Sequence, residues 1–489
     1  MKKINKKDII TFICIFVITC LIFMPILIGH YSTDTYRLVE MGYKKYSIEY
    51  SLNDGRIFMS LIGLLADKIN INIDAYVIIL TTLSIMVSCI CVMKIQKIIT
   101  KNNPRGNILI TTLISYIIVM NFMYLENLYF TECIVMAISI MLFITAANDL
   151  NNDENILKIF ILVLLGTFCY QGTINIFITF YFVLALIKYK KINKKIVKNI
   201  VIIAFICLLS VAINMLQINI CGKIFGMTQD RTGNINNIFN NMIYIIANIY
   251  KIIINTSDLF PRYLLLGIYT ITLIITIVYD AIKVKQYDNS FNIILIALVA
   301  IISSVAINVV SLSSFALGRM VFSVGALMGL VFMYLYCATN IFEEKNHFKL
   351  LINIALGFYV ICLLSNETNI LYQHKKANEL DKQECKTVGE YIEQYEKENN
   401  IEVKKIAYVY DKNITWCYNE LSHKSLFTHR ALMIWWCNVD AINYYTNRNL
   451  EEVQMPRKIY DEYFKNKDWN ELNKEQFVFI DDTLYYCVY

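Results

Sequence analysis

Charge is what this sequence has least of. Asp, Glu, Lys and Arg make up only 17% of its 489 residues, apolar types make up 57%, and mean hydropathy is +0.49. A soluble chain would carry about a quarter charged residues, so a soluble globular fold is excluded and no nucleic-acid partner is expected. The fourteen cysteines contain no C-x-x-C pair, and several (Cys14, Cys20, Cys89, Cys91) sit inside apolar runs as small hydrophobes. The five histidines (His30, His347, His374, His423, His429) form no metal-ligand cluster in sequence, which argues against a dedicated zinc site. There is no G-x-x-x-x-G-K-[ST] and no G-x-G-x-x-G, hence no visible nucleotide-binding loop. No internal repeat is present. The basic start "MKKINKK" is not followed by a small-x-small cleavage site, so a retained first helix is expected rather than a signal peptide.

What the chain has instead is apolar runs of about twenty residues, each long enough to cross about 30 Å of hydrocarbon as helix. Hydropathy predicts about eleven spans, over 9–29, 74–93, 107–125, 130–147, 157–171, 173–188, 199–219, 259–279, 291–311, 318–338 and 349–366. Lysine and arginine collect on cytoplasmic loops. Lys2, Lys3, Lys6 and Lys7 therefore place the N-terminus in the cytoplasm, and alternation puts Met93–Arg105, Lys188–Lys198, Lys283 and Lys285 there too. The acidic Asn148–Asn155 and the mixed Phe342–His347 are the exceptions. The loop from Tyr31 to about Ile73, the turn around Glu126, Cys221–Ser257, Ser311–Leu317 and the tail then lie outside. Segments Tyr36–Leu65 and Ile235–Ile254 have helical apolar spacing but are too polar to span. They fit either interface-lying amphipathic helices or packing on the bundle's outer faces.

Residues 367–489 differ in kind. They carry 16 Lys+Arg against 21 Asp+Glu, a net −5, which leaves +11 for the body, and they hold all four tryptophans (Trp416, Trp435, Trp436, Trp469). A polar helical stretch, a strand "KKIAYVYD", an aromatic patch and a final strand pair "QFVFIDDTLYYCVY" predict a small α/β domain. The expected fold is thus an all-α polytopic membrane body, 1–366, with an extracytoplasmic α/β tail, 367–489. Cys385, Cys417, Cys437 and Cys487 allow three disulfide pairings, though free thiols fit better. Trp435 and Trp436 fit a domain core or an interface belt better than sugar stacking.

The few ionisable residues of the body gather near one set of helix ends. Asp34 and Arg37 follow the first span, and Asp54 and Arg56 sit in "LNDGR". Glu126 and Glu132 flank "LENLYFTE", Tyr170-Gln171 mark the turn after span five, Asp230-Arg231, Asp258 and Arg262 surround spans seven and eight, and Arg319 opens span ten. Charge at membrane depth is costly and points to function. Carboxylates with arginines on one side suit a site that grips a phosphate through the planar guanidinium fork and activates a hydroxyl through a carboxylate base. The simpler alternatives are a loop acid or N-cap for Asp34, a structural ion pair for Glu126 and Glu132, lipid-headgroup anchoring for Arg56 and Arg319, helix packing for Tyr170-Gln171 and a turn for Gly55.

A long loop after the first span that opens on an acid resembles the GT-C superfamily of membrane glycosyltransferases. "TDTYR … NDGR", "LENLYFTE", "CYQG" and "LGRMVF" together resemble the bacterial glucosyltransferase family that modifies O-antigen (Gtr type II-like) and other surface polysaccharides, over roughly residues 1–366. That family often has paired acids where this chain has Thr33-Asp34. The resemblance implies Asp34 as catalytic base, Glu126 as a second acidic position, and Arg56 and Arg319 as holders of the lipid phosphate. Arg37, Asp54, Glu132, Tyr170 and Gln171 would contact substrate. It implies a polyprenyl-phosphate sugar donor such as undecaprenyl-phosphate-glucose, a cell-envelope glycan acceptor and inversion at the anomeric carbon. No cofactor is certain, and a divalent metal joining Asp34 and Glu126 stays open. The alternatives are a flippase or transporter of lipid-linked sugars and a polysaccharide polymerase or ligase.

Overall fold

The computed structural model of the chain describes residues 6–104, 106–227, 238–309, 318–342, 346–410, 427, 429–467, 469 and 471–489. The apolar runs fold as helices. In order they are α1 (Lys6–Ile22), α2 (Met24–Leu27), α3 (Thr33–Met41), α4 (Tyr43–Tyr46), α5 (Ile57–Ile69), α6 (Ile73–Asn102), α7 (Ile108–Val119), α8 (Tyr124–Tyr129) and α9 (Cys133–Asn151). Then come α10 (Ile156–Tyr170), α11 (Asn175–Tyr189), α12 (Lys194–Phe225), α13 (Ile238–Ile253), α14 (Leu264–Tyr279), α15 (Asp288–Val309), α16 (Phe322–Gly325), α17 (Leu327–Ala338), α18 (His347–Asn399) and α19 (Asn438–Thr446). Among the described residues, seven of them (α6, α9, α10, α12, α14, α15 and α18) are long and apolar enough to cross a membrane. Their outer faces carry large apolar side chains such as Val201, Phe205 and Leu208, each more than 60% exposed, a surface suited to lipid rather than water.

The other four expected spans, 9–29, 107–125, 173–188 and 318–338, form shorter or interrupted helices. The first is broken at Phe23, just ahead of Pro25, which has no N–H to continue the ladder. The third stops at Val119; Asn121 then accepts the Met123 N–H at 3.0 Å and turns the chain into α8. The tenth is split into a 3-10 turn at Gly318–Met320, the short α16 and then α17, and a Cβ on Gly325 would lie 2.1 Å from Asn121 Oδ1. These breaks are buried in protein, where freed backbone groups find partners and lipid does not reach them. At the centre of the bundle α9 packs against α6, α10 and α11.

The last span and the polar stretch after it are one helix of 53 residues, α18. Its buried stripe runs without interruption from Ile352 through Tyr359, Leu363, Ile370, His374, Asp381 and Cys385 to Ile392. The opposite face changes from exposed Leu350, Ile354, Phe358 and Ile361 to exposed Glu379, Lys382, Lys386 and Glu390, while the buried stripe keeps its spacing and takes in Glu367, His374, Asp381 and Glu384. The helical period therefore carries straight across position 366, where composition alone marks a boundary. Beyond it lies a four-stranded sheet in the order β2 (Glu451–Glu452), β1 (Lys405–Tyr410), β4 (Thr483–Val488), β3 (Phe477–Ile480). Strand β1 is parallel to both β2 and β4, while β3 and β4 are an antiparallel hairpin turning at Asp481, which takes the left-handed φ of 52°. The tail residue Phe427 packs in the body's core and Tyr36 of α3 packs in the tail's, so the two cores interlock. Among the described residues, Cys385, Cys437 and Cys487 form no disulfide with one another, and Cys417 lies outside those residues. Trp435 and Trp436 are exposed rather than part of a core.

Candidate functional site

Residues from five separate segments meet at one end of the bundle. The turn "LNDGR" between α4 and α5 presents Asp54 and Arg56. Gly55 there has φ +80°, and a Cβ on it would come within 2.6 Å of Asn214 Oδ1. From α12, Asn214 donates to the Gly55 carbonyl at 2.8 Å and Gln217 to the Leu52 carbonyl at 3.3 Å. Gly55→Ala should therefore cost roughly 2 kcal/mol or more through left-handed strain and the clash. The check is the unfolding temperature in detergent; an unchanged value would show that the turn tolerates a side chain.

Arg56 is thereby held in an ion-pair network. Its guanidinium donates to Glu132, lies 3.2 Å from Asp54 Oδ2, and sits 5.3 Å from the centre of the Tyr170 ring. Gln171, at the break after α10, donates to the Asp54 carbonyl at 3.1 Å. Glu126 on α8 accepts the backbone N–H of Arg319 at 2.7 Å and stands 3.9 Å from its Nη1. This close approach needs Gly318, whose added Cβ would be 2.7 Å from Leu259 and 3.1 Å from Glu126 Oε2. The Arg319 guanidinium lies over the Phe130 ring, 4.3 Å from its centre. Glu126 and Glu132 are buried, 4% and 3% exposed, and burial makes such pairs costly to break. Both arginines still have capacity: Arg56 Nε and Arg319 Nη1 are buried with no hydrogen-bond acceptor, and Gln171 Oε1 is buried with no donor.

Asp34 lies in the first turn of α3, where a negative charge complements the helix dipole. It is not the N-cap. Ser32 caps α3 in a reciprocal capping box with Thr35, so the cap does not depend on Asp34. Asp34 accepts from the Thr33 hydroxyl at 3.4 Å, and its charge acts on Tyr46, Tyr129 and Arg319. Four carboxylates (Asp34, Asp54, Glu126, Glu132) thus surround two guanidinium groups. Among the described residues, no group of three His, Cys, Asp or Glu side chains could hold a metal ion.

Several expectations change. Arg37 points away from the cluster, to Asp440 of α19 at 3.2 Å. Asp258 and Arg262 pair with each other at 3.8 Å near the surface. Asp230 and Arg231 lie outside the described residues. Sequence reasoning missed Tyr46, which is buried within reach of Asp34, Asp54, Arg56 and Glu132; burial, together with the carboxylates, pushes its phenol far up. It also missed the clamp from Asn214 and Gln217. It missed how the tail grips α3: Tyr31 hydrogen-bonds to Tyr444 at 2.8 Å and Tyr36 to Tyr445 at 3.0 Å, hydroxyl to hydroxyl. The spacing of tyrosines 43, 46 and 50 was the one signal available for Tyr46.

Compared with known protein families, with curated proteins and with solved structures, the chain matches none.

Proposed function

We propose that the chain is a multi-pass GT-C-like membrane glycosyltransferase that transfers a hexose, in the first instance glucose, from a polyprenyl-phosphate donor to a cell-envelope glycan. The N-terminus lies in the cytoplasm and the tail is an extracytoplasmic α/β domain. The observation that carries this reading is the convergence of Asp54, Arg56, Glu126, Glu132, Tyr170, Gln171 and Arg319 beside Asp34, with unmet N–H donors on both arginines. Asp34 takes the proton from the acceptor hydroxyl as that oxygen attacks the anomeric carbon. Negative charge grows on the departing lipid phosphate, where Arg56 and Arg319 stabilise it. Glu126 and Glu132 hold the two guanidinium groups in place, and Tyr170 packs beneath Arg56. A donor that arrives through the bilayer needs no nucleotide-binding loop.

One observation favours the rival flippase reading. Glu367 on α18 is fully buried and neither carboxylate oxygen has a hydrogen-bond partner. Unpaired acids in a membrane bundle mark transport pathways. Proteoliposomes separate the two. A transferase forms labelled glycan from lipid-linked labelled glucose, and Glu367→Gln leaves that rate within about twofold. A flippase moves the lipid-linked sugar across the bilayer without a new glycosidic product, and Glu367→Gln stops it. The second outcome would overturn the proposal.

A further inference from the structure

Trp435 and Trp436 are 70% and 40% exposed, with ring centres 5.7 Å apart and planes at 90°. They are not loosely held. The Tyr408 hydroxyl donates to the Trp435 carbonyl at 2.9 Å, and the next residue, Cys437, is buried with its N–H on the Ile434 carbonyl at 3.0 Å. On β1 the rings of Tyr408 and Tyr410 lie 5.6 Å apart, and the Tyr408 hydroxyl bond sets this pair beside Trp435. Its rim is charged. Asp440 pairs with Arg37, and Glu452 is held above the ordinary carboxylate range by partial burial and by the charge of Asp440. Cys437 feels the charges of both Asp34 and Asp440, so the surface borders the helix that carries the proposed base.

Flat aromatic faces stack on the C–H faces of sugar rings, and an exposed carboxylate such as Glu452 accepts sugar hydroxyls. The tail around it carries a net −5, which repels an anionic lipid surface and removes the usual reason for exposed tryptophan near a membrane. We propose that Trp435, Trp436, Tyr408 and Tyr410 form a platform that binds an uncharged saccharide chain as acceptor and feeds its end toward Asp34. This rests on the transferase reading for its role, but its binding is testable by itself.

The test uses the full-length protein in detergent as wild type, as Trp435→Ala/Trp436→Ala and as Trp435→Phe/Trp436→Phe. The probes are labelled neutral polysaccharide from the cell envelope and phosphatidylglycerol vesicles. The alanine pair should bind the polysaccharide about tenfold more weakly and raise the acceptor KM by the same factor with kcat unchanged. The phenylalanine pair should stay within about threefold of wild type, which also excludes misfolding. Equal polysaccharide affinity in wild type and the alanine pair would overturn the platform, as would loss of vesicle binding instead. Transfer with unaltered acceptor KM would sink the platform and keep the transferase. Tryptophan-dependent glycan binding with no transfer by wild type would do the reverse.

Discussion

Asp34→Asn should lower the rate of sugar transfer by about a hundredfold to ten-thousandfold, the range a positioned general base supplies. The change keeps the shape of the side chain and removes its ability to take a proton. Ser32, not Asp34, caps α3, and the helix is also pinned by Tyr31 to Tyr444 and Tyr36 to Tyr445. The variant should therefore keep its unfolding temperature and its donor affinity while losing turnover. Wild-type transfer in the variant would remove Asp34 from the mechanism. A fall in both turnover and thermal stability would make it a structural residue.

Arg430→Met should have the largest effect on stability. Arg430 is fully buried; its Nε donates to Asp381 at 2.9 Å, another arm reaches Glu384 and a third the Tyr489 carbonyl. Asp381 also accepts the Ala431 N–H at 2.6 Å, and Glu384 accepts from the Tyr486 hydroxyl and the Tyr489 N–H. The network therefore ties α18 to the last strand. Methionine fills similar volume but leaves two carboxylates buried without their cation, which costs about 3–5 kcal/mol. The expected result is a tail that unfolds separately from the body, seen as protease sensitivity after α18 and as changed tryptophan fluorescence. An intact tail at the wild-type temperature would show that the carboxylates are neutral or that they rearrange.

The helical body was legible because each apolar run carries its own signal. The turn around Glu126 was legible, but the early end of the third span at Val119 and the break at Gly318–Ala326 were not, because both stretches are nearly as apolar as the spans they interrupt. Their departure from helix is fixed by contacts such as Gly325 against Asn121. The charged residues were legible as a set, since charge is rare in the apolar body and gathers at one set of helix ends. Their pairing was not. Arg56 meets Glu132 76 positions away, and Arg319 meets Glu126 193 positions away. Arg37 looked equivalent to Arg56 in sequence and separates from it only through Asp440, 403 positions on. The continuity of α18 was hidden because its exposed face turns from apolar to charged after position 366, while the buried stripe keeps its helical spacing.

The most direct test of the central claim is sugar transfer by the purified wild-type protein from undecaprenyl-phosphate-linked radiolabelled glucose to envelope glycan, with UDP-linked glucose beside it. The account predicts label in the glycan from the lipid-linked donor alone, with inverted anomeric configuration. Label delivered from the nucleotide sugar, or a lipid donor that stays intact across the acceptors tried, would contradict it.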